Sequence, residues 1–142
     1  MPFVPYLSFQ GQCAEAFAFY GKVFGAKPET SPFSEIPADA QAPELTPEQK
    51  GWLMHAQIVT PDGVLMGADM PPQYGGVPQA GVSISVTRAD DASARQLFDT
   101  LADGGTVIMP SGPPFFAKGF GICADRSGTT RTLSHALTDC YE

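Results

Sequence analysis

The alternation of apolar and polar residues predicts one helix and four strands in the first half of the chain. Apolar residues recur at helical spacing from Cys13 to Phe24, and Gly25 follows where a helix C-terminal cap is expected. Apolar stretches of strand length lie at residues 2–9, 52–60 and 64–68, and the segment 26–33 could form a further strand, at an edge because of its two prolines. The Pro-Asp-Gly sequence at 61–63 favours a β-hairpin between the last two strands.

The second half repeats the same order of elements. Apolar and serine residues alternate over 81–87 and predict a strand, after which Asp90 or Asp91 is expected to cap a helix over 91–103. Three further strands are predicted at 106–110, 120–124 and 130–137. The fold class is therefore α+β, with two tandem β-α-β-β-β modules that form curved mixed sheets around a cleft. We expect a single domain over 1–142, with modules at about 1–69 and 80–142 and a Pro- and Gly-rich linker at 70–79.

Residues 31–50 interrupt the first module with four prolines and four acidic residues. This composition predicts a surface loop or mobile flap, because a loop of this length in a small domain often covers a site or a partner. A tolerated insertion without function is the alternative.

Charge and composition exclude several classes of protein. The chain is 43% hydrophobic and carries a net charge of −7, which argues against nucleic acid binding because that requires a basic face. It contains no apolar run of the ~18 residues that a membrane span requires, and its N-terminus does not resemble a secretory signal. Three cysteines argue against a disulfide framework and favour a cytoplasmic location. Cys13 belongs to the apolar stripe of the first helix, which predicts a buried thiol.

Several short motifs resemble one family when read in order. They are PYLSFQG at 5–11, AEAFAFY at 14–20, VFG at 23–25, MHA at 54–56, LMGAD at 65–69, LFDTLADGG at 97–105 and FGICADRSG at 120–128. Together they resemble the PhnB-like branch of the vicinal-oxygen-chelate superfamily, which includes glyoxalase I, bleomycin-resistance proteins and extradiol dioxygenases. The resemblance implies the tandem-module fold and a homodimer, and the open edges and apolar faces of small modules favour pairing for the same physical reason.

The resemblance also implies four metal-ligand positions, one on each of four strands. They fall near Pro5, Leu65, Gly81 and Thr132, which are not side chains that hold a divalent ion well. The chain has only two histidines. We therefore expect no metal site. No Gly-rich loop for S-adenosylmethionine follows the first strand, and we expect no cofactor.

The sequence gives six candidate ligand-binding residues: Tyr6, His55, Asp69, Phe115, Phe116 and Arg131. His55 is either a core histidine or a general base, with Asp69 as the local carboxylate that could orient it. Asp69 could instead bond the backbone of residues 70–72. Tyr6, Phe115 and Phe116 either pack in the core or line the cleft, with the last two on a loop that could close over a ligand.

Arg131 lies in the middle of a predicted strand, where its orientation decides its role. If it points outward it is an ordinary solvated residue. If it points into the cleft it is a fixed cation for a carboxylate or phosphate. Alternation places it on the face of Leu133, which favours the cleft.

These observations predict a protein that binds a small, anionic organic molecule in its cleft without a metal. The alternative is a metal-independent enzyme that uses His55, Asp69 or Arg131 for acid–base chemistry or charge stabilisation. A third hypothesis is a protein partner bound through the flap at 31–50. The catalytic residues, if any, are unknown at this stage.

Overall fold

The computed structural model describes residues 2–37, 44–112 and 120–135, which divide at residue 79/80 into two compact units. The first unit contains β1 (Tyr6–Phe9), α1 (Cys13–Phe24), β2 (Glu29–Pro32), β3 (Leu53–Thr60) and β4 (Gly63–Asp69). The second contains β5 (Ser83–Arg88), α2 (Asp91–Ala102), β6 (Thr106–Gly112), β7 (Phe120–Ala124) and β8 (Thr130–His135). Short 3-10 turns lie at Phe33–Glu35, Gln49–Gly51 and Pro72–Tyr74.

The two units have the same sheet topology. The strand order is β1-β4-β3-β2 in the first sheet and β5-β8-β7-β6 in the second. In each sheet the first strand pairs in parallel with the last, and the other pairs are antiparallel. Each sheet is open, with an edge strand at both sides. The predicted α+β fold of two β-α-β-β-β modules is confirmed.

In the first unit, helix α1 packs against β3 and β4 through its buried stripe. Phe17 lies directly over Gly67 of β4, because a Cβ atom at Gly67 would come within 2.8 Å of the Phe17 ring. The ring of Phe9 meets that of Phe17 edge-on at 6.4 Å between centroids. The missing side chain at Gly67 thus allows the helix to approach the sheet closely.

The predicted C-terminal cap of α1 and the predicted N-terminal cap of α2 are confirmed. Gly25 follows α1 with a φ of 67°, and its N–H donates to the carbonyl of Gly21. Asp90 precedes α2 and accepts a hydrogen bond from the N–H of Ser93 at 2.7 Å. Of the two aspartates considered for this cap, Asp90 fulfils the role because its backbone is extended, as an N-cap requires.

Several predicted boundaries differ from the structure. The first strand begins at Tyr6 rather than residue 2, because Pro5 has no N–H to donate. The carbonyl of Pro5 accepts from the N–H of Met66 in β4, and this bond is the outermost one between the two strands. The predicted linker is not wholly irregular, since Pro72 to Tyr74 form a 3-10 turn that ends at Gly75, whose φ is 86°.

A bulge in β3 changes which side chains face the helix. Between Ser31 and Pro32 of β2 the register advances by two residues on β3, which leaves Met54 as the extra residue. As a result the side chains of Leu53 and Ala56 are both buried, although residues three apart point to opposite faces of a regular strand. Among the described residues, no helix is long and apolar enough to cross a membrane.

Candidate functional site

The first sheet carries polar side chains on the face opposite α1. Because Gly67 faces Phe17, its register partners Leu7 and Ala56 also point towards the helix. Their neighbours Tyr6 and Gln57 therefore point away from it. Both lie opposite Met66 of β4, which brings β1, β4 and β3 together on this face.

Four side chains form a hydrogen-bonded chain across this face, and we call them the polar row: Tyr6, His55, Gln57 and Glu29. The Tyr6 hydroxyl oxygen lies 3.2 Å from His55 Nδ1, with the two ring centroids 5.8 Å apart. His55 Nε2 lies 3.5 Å from Gln57 Oε1, and Gln57 Nε2 donates to Glu29 Oε2 at 2.8 Å. Tyr6 is 52% exposed, whereas His55 and Gln57 are half-buried.

The polar row gives His55 partners that differ from the predicted one. Asp69 was expected to orient the imidazole, but the carboxylate of Asp69 is bonded elsewhere and Gln57 contacts Nε2 instead. The reason is alternation, because Asp69 and Gly67 point towards α1 whereas His55 points away. His55 is a half-buried residue of an accessible sheet face rather than a core histidine.

The hydroxyl of Tyr6 keeps its proton at neutral pH. Partial burial raises the pKa of Tyr6 above its ordinary value of 10.0, and the nearby Cys13 thiolate would raise it further. Tyr6 can therefore donate a hydrogen bond in this row.

Asp69 holds three segments of the first unit together. One carboxylate oxygen accepts from the N–H groups of Gly11 at 2.7 Å and Cys13 at 3.1 Å, and the other accepts from Leu53 at 2.9 Å. The side chain is 2% exposed. Neither predicted alternative describes this geometry, since Asp69 neither orients His55 nor bonds the backbone of 70–72. Because Asp69 accepts from the N–H of Cys13, the first residue of α1, the helix needs no capping side chain from its own N-cap residue.

Cys13 is buried, as predicted. Burial raises the pKa of its thiol to about 12, and the adjacent Asp69 carboxylate contributes to the increase. A helix N-terminus ordinarily favours a thiolate, but here desolvation outweighs that effect. Cys13 is therefore an unreactive thiol rather than a nucleophile.

Arg131 lies inside the second unit. It is 1% exposed, and its Nε donates to the Asp125 carboxylate at 3.3 Å. Its register partners are Ile84 and the buried Cys123, on the face where α2 packs, while the alternate residues of β5 are exposed. Alternation correctly predicts that the Arg131 side chain points into the protein. The side chain lies, however, in the core beneath α2. The solvated alternative is wrong, and the role of Arg131 in ligand binding stays a prediction.

Asp125 is the residue that the sequence did not single out in this unit. Its Oδ1 accepts from the N–H groups of Ser127 and Thr129, and its Oδ2 accepts from Arg131. Burial raises the pKa of Cys123, and the negative charge of Asp125 raises it further. The positive charge of Arg131 acts in the opposite direction. The Asp-Arg-Ser-Gly sequence that joins β7 to β8 gives no sign of the ion pair between Asp125 and Arg131.

The expected metal-ligand positions fall on unsuitable groups. Pro5 is exposed, and Leu65 is buried on the α1 side of β4, so its neighbour Met66 reaches the opposite face instead. Within residues 2–37, 44–112 and 120–135, no three His, Cys, Asp or Glu side chains are grouped as metal ligands. Phe115 and Phe116 lie outside the described residues.

Residues 3–131 match the model of the Glyoxalase/Bleomycin resistance protein/Dioxygenase superfamily, and the chain belongs to this family. Among individual relatives, it is 31% identical to protein YjdN of Escherichia coli (strain K12) over 134 residues, which cover 90% of each chain.

Solved structures agree with this assignment. Protein PA1353 from Pseudomonas aeruginosa is 38% identical, with a TM-score of 0.83 and coverage of 95% of this chain and 97% of that chain. The PhnB protein from Bacillus cereus is 25% identical, with a TM-score of 0.72 and coverage of 96% and 100%. The resemblance to PhnB-like proteins is thus confirmed.

Sequence reasoning missed two members of the polar row. Gln57 could have been found, because alternation along β3 places it on the same face as His55. Glu29 could not, since its position opposite Gln57 depends on the pairing of β2 with β3 across a long connection.

Proposed function

We propose that the protein binds a small organic molecule on the polar row of the first sheet, without a metal. The observation that carries this proposal is the chain of hydrogen bonds from Tyr6 to Glu29 on an accessible sheet face. Exposed or half-buried apolar side chains lie beside it, including Met66 of β4 and Val59 of β3. Such a combination of apolar surface and a few placed polar groups is typical of ligand sites.

The sequence predicted an anionic ligand because Arg131 could bind one. The position of Arg131 in the structure gives this expectation little support. The guanidinium is buried and bonded to Asp125, so a ligand would have to displace a carboxylate to reach it. Tyr6 and His55 are the predicted site residues that the polar row brings together. We propose that these two contact the ligand.

Binding is tested by screening small organic molecules by NMR chemical-shift perturbation against the wild type and Tyr6→Phe. The variant should weaken binding of each hit by about two- to tenfold, the size expected for one neutral hydrogen bond. Tyr74→Phe is the matched control, because Tyr74 is an exposed tyrosine of the 70–79 segment. Equal weakening by both variants, or hits that perturb only residues away from the polar row, would count against the proposal.

A second candidate function is metal-independent catalysis with His55 as general base. The contact between the Tyr6 hydroxyl and His55 Nδ1 favours it, because a positioned tyrosine and imidazole can move a proton. Each molecule that binds would be incubated with the protein and followed by mass spectrometry. Turnover that survives a chelator and is lost in His55→Gln would support catalysis, while turnover that persists in His55→Gln would refute this role.

We further propose a homodimer in the cytoplasm. Edge strand β6 exposes Val107, Ile108 and Met109, and an exposed apolar edge strand favours pairing with another chain. Light scattering should give twice the chain mass of 15.0 kDa, and Ile108→Lys should reduce it. A mass of one chain for the wild type would refute the dimer. The buried free thiols Cys13 and Cys123 support a reducing compartment.

A further inference from the structure

The hydrogen bonds of the polar row have a defined direction, because the row ends at a carboxylate. A carboxylate only accepts hydrogen bonds, so Gln57 presents its NH₂ group to Glu29 at 2.8 Å. The carbonyl oxygen of Gln57 then faces His55 Nε2, 3.5 Å away, which makes Nε2 the donor. Glu29 therefore determines, through Gln57, which imidazole nitrogen carries the hydrogen.

The direction continues to Tyr6. In a neutral imidazole one nitrogen donates and the other accepts. Since Nε2 donates to Gln57, Nδ1 accepts, and the donor 3.2 Å from it is the Tyr6 hydroxyl. Burial raises the pKa of Tyr6, which keeps that hydroxyl protonated. The single hydrogen of Tyr6 is thus used within the row, and its exposed oxygen offers only lone pairs to a ligand.

From this we infer that Tyr6 recognises its ligand by accepting a hydrogen bond, so that the site takes a neutral or cationic molecule with an apolar body and a hydroxyl or amino group. The inference rests on the proposed function and names the ligand class. Anions are disfavoured, because a carboxylate would bring a second acceptor to the Tyr6 oxygen, in a row that already holds the Glu29 carboxylate. Gln57 and Glu29 act as positioning residues, since they reach the ligand through the tautomer of His55.

The tautomer can be measured without any ligand. Long-range proton–nitrogen NMR correlations distinguish the two nitrogens of a histidine ring, and with two histidines in the chain a His135→Asn variant assigns them. In a buffer of pH 8.5, in which an ordinary imidazole is neutral, His55 should carry its hydrogen on Nε2. Gln57→Leu should shift it towards a mixture of both forms, whereas Glu35→Gln, at an exposed acid of the same unit, should not. A hydrogen on Nδ1 in the wild type would overturn the inference.

Ligand selectivity is tested with two matched pairs of probes by NMR titration. Benzyl alcohol should perturb Tyr6 and His55 at several-fold lower concentration than benzyl methyl ether, which has the same body but no donor. Benzylamine should likewise bind more tightly than benzoate. In Tyr6→Phe the alcohol and the ether should bind alike, and the preference for benzylamine over benzoate should decrease but not disappear, because Glu29 is retained.

The outcomes separate this inference from the proposed function. Equal binding of alcohol and ether, or tighter binding of benzoate, would overturn the donor selectivity and leave the polar row as a binding site. Perturbation by none of the four probes would overturn both, while the ring measurement would still report on the tautomer.

Discussion

Replacing Asp69 should test how the first unit is held together. Its carboxylate accepts from three backbone N–H groups that belong to the turn before α1, the first residue of α1 and the start of β3. Asp69→Ala would leave all three without this partner. Each stranded, buried donor costs about 1–3 kcal/mol, and because the three are coupled we expect a total loss of about 3–6 kcal/mol rather than their full sum.

Asp69→Asn is the more informative variant. The amide retains one acceptor oxygen, which can still bond the N–H groups of Gly11 and Cys13, but it presents NH₂ to the N–H of Leu53. One hydrogen bond is therefore exchanged for a contact between two donors, and we expect a loss of about 2–3 kcal/mol. Because native domains are stable by only about 5–15 kcal/mol, both variants should differ clearly from the wild type.

The assay is urea unfolding monitored by the fluorescence of Trp52, the only tryptophan in the chain. Its indole lies against Gly11, and it precedes Leu53, so its signal reports on the region that Asp69 joins. The control is Asp99→Asn on the exposed face of α2, which removes the same charge and should change stability by less than about 0.5 kcal/mol. If Asp69→Ala unfolds within 0.5 kcal/mol of the wild type, where the expected loss is about 3–6 kcal/mol, the reasoning from its three bonds is refuted.

Three further predictions concern the cores of the two units. Arg131→Met should lower the free energy of unfolding by about 3–5 kcal/mol, because it removes the cation that bonds the buried Asp125 carboxylate. Adding Asp125→Asn should recover part of this loss in thermal melts, and no recovery would contradict a direct pair. Gly67→Ala should cost about 1–3 kcal/mol, because the new methyl group meets Phe17; an unchanged melting temperature would contradict the close packing. Because the Cys13 pKa is raised to about 12 in the folded protein, the protonated thiol stabilises the fold at neutral pH, and this contribution is lost as the pH rises above the ordinary value of about 8.5. Wild-type stability should therefore fall more steeply between pH 9 and 11 than that of Cys13→Ala, and parallel curves would refute the shift.

The sequence predicted the repeated topology well because both helices and most strands carry strong local periodicity. Helix α1 was predicted with the bounds it has, and α2 within one residue. Candidate site residues were harder, because their roles depend on which face of a sheet the helix covers. Arg131 illustrates this, since alternation identified its face but not whether that face meets a ligand or α2. Asp69 illustrates a second limit, because its three partners lie 16 to 58 residues away and leave no local pattern.

The parallel pairing of β1 with β4 has a consequence for biosynthesis. The first strand of the unit obtains its neighbour only from the last, so a nascent chain that ends before Gly63 lacks both the pairing partner of β1 and the carboxylate that bonds the start of α1. Translation at about 5–20 residues per second leaves several seconds between the synthesis of β1 and that of β4, whereas a helix forms within about a microsecond. On the ribosome, the apolar stripe of α1 therefore stays uncovered until β3 and β4 emerge. The same interval separates β5 from β8 in the second unit. This interval is when the chain is most exposed to aggregation, and a chaperone that binds apolar helical stripes would act there.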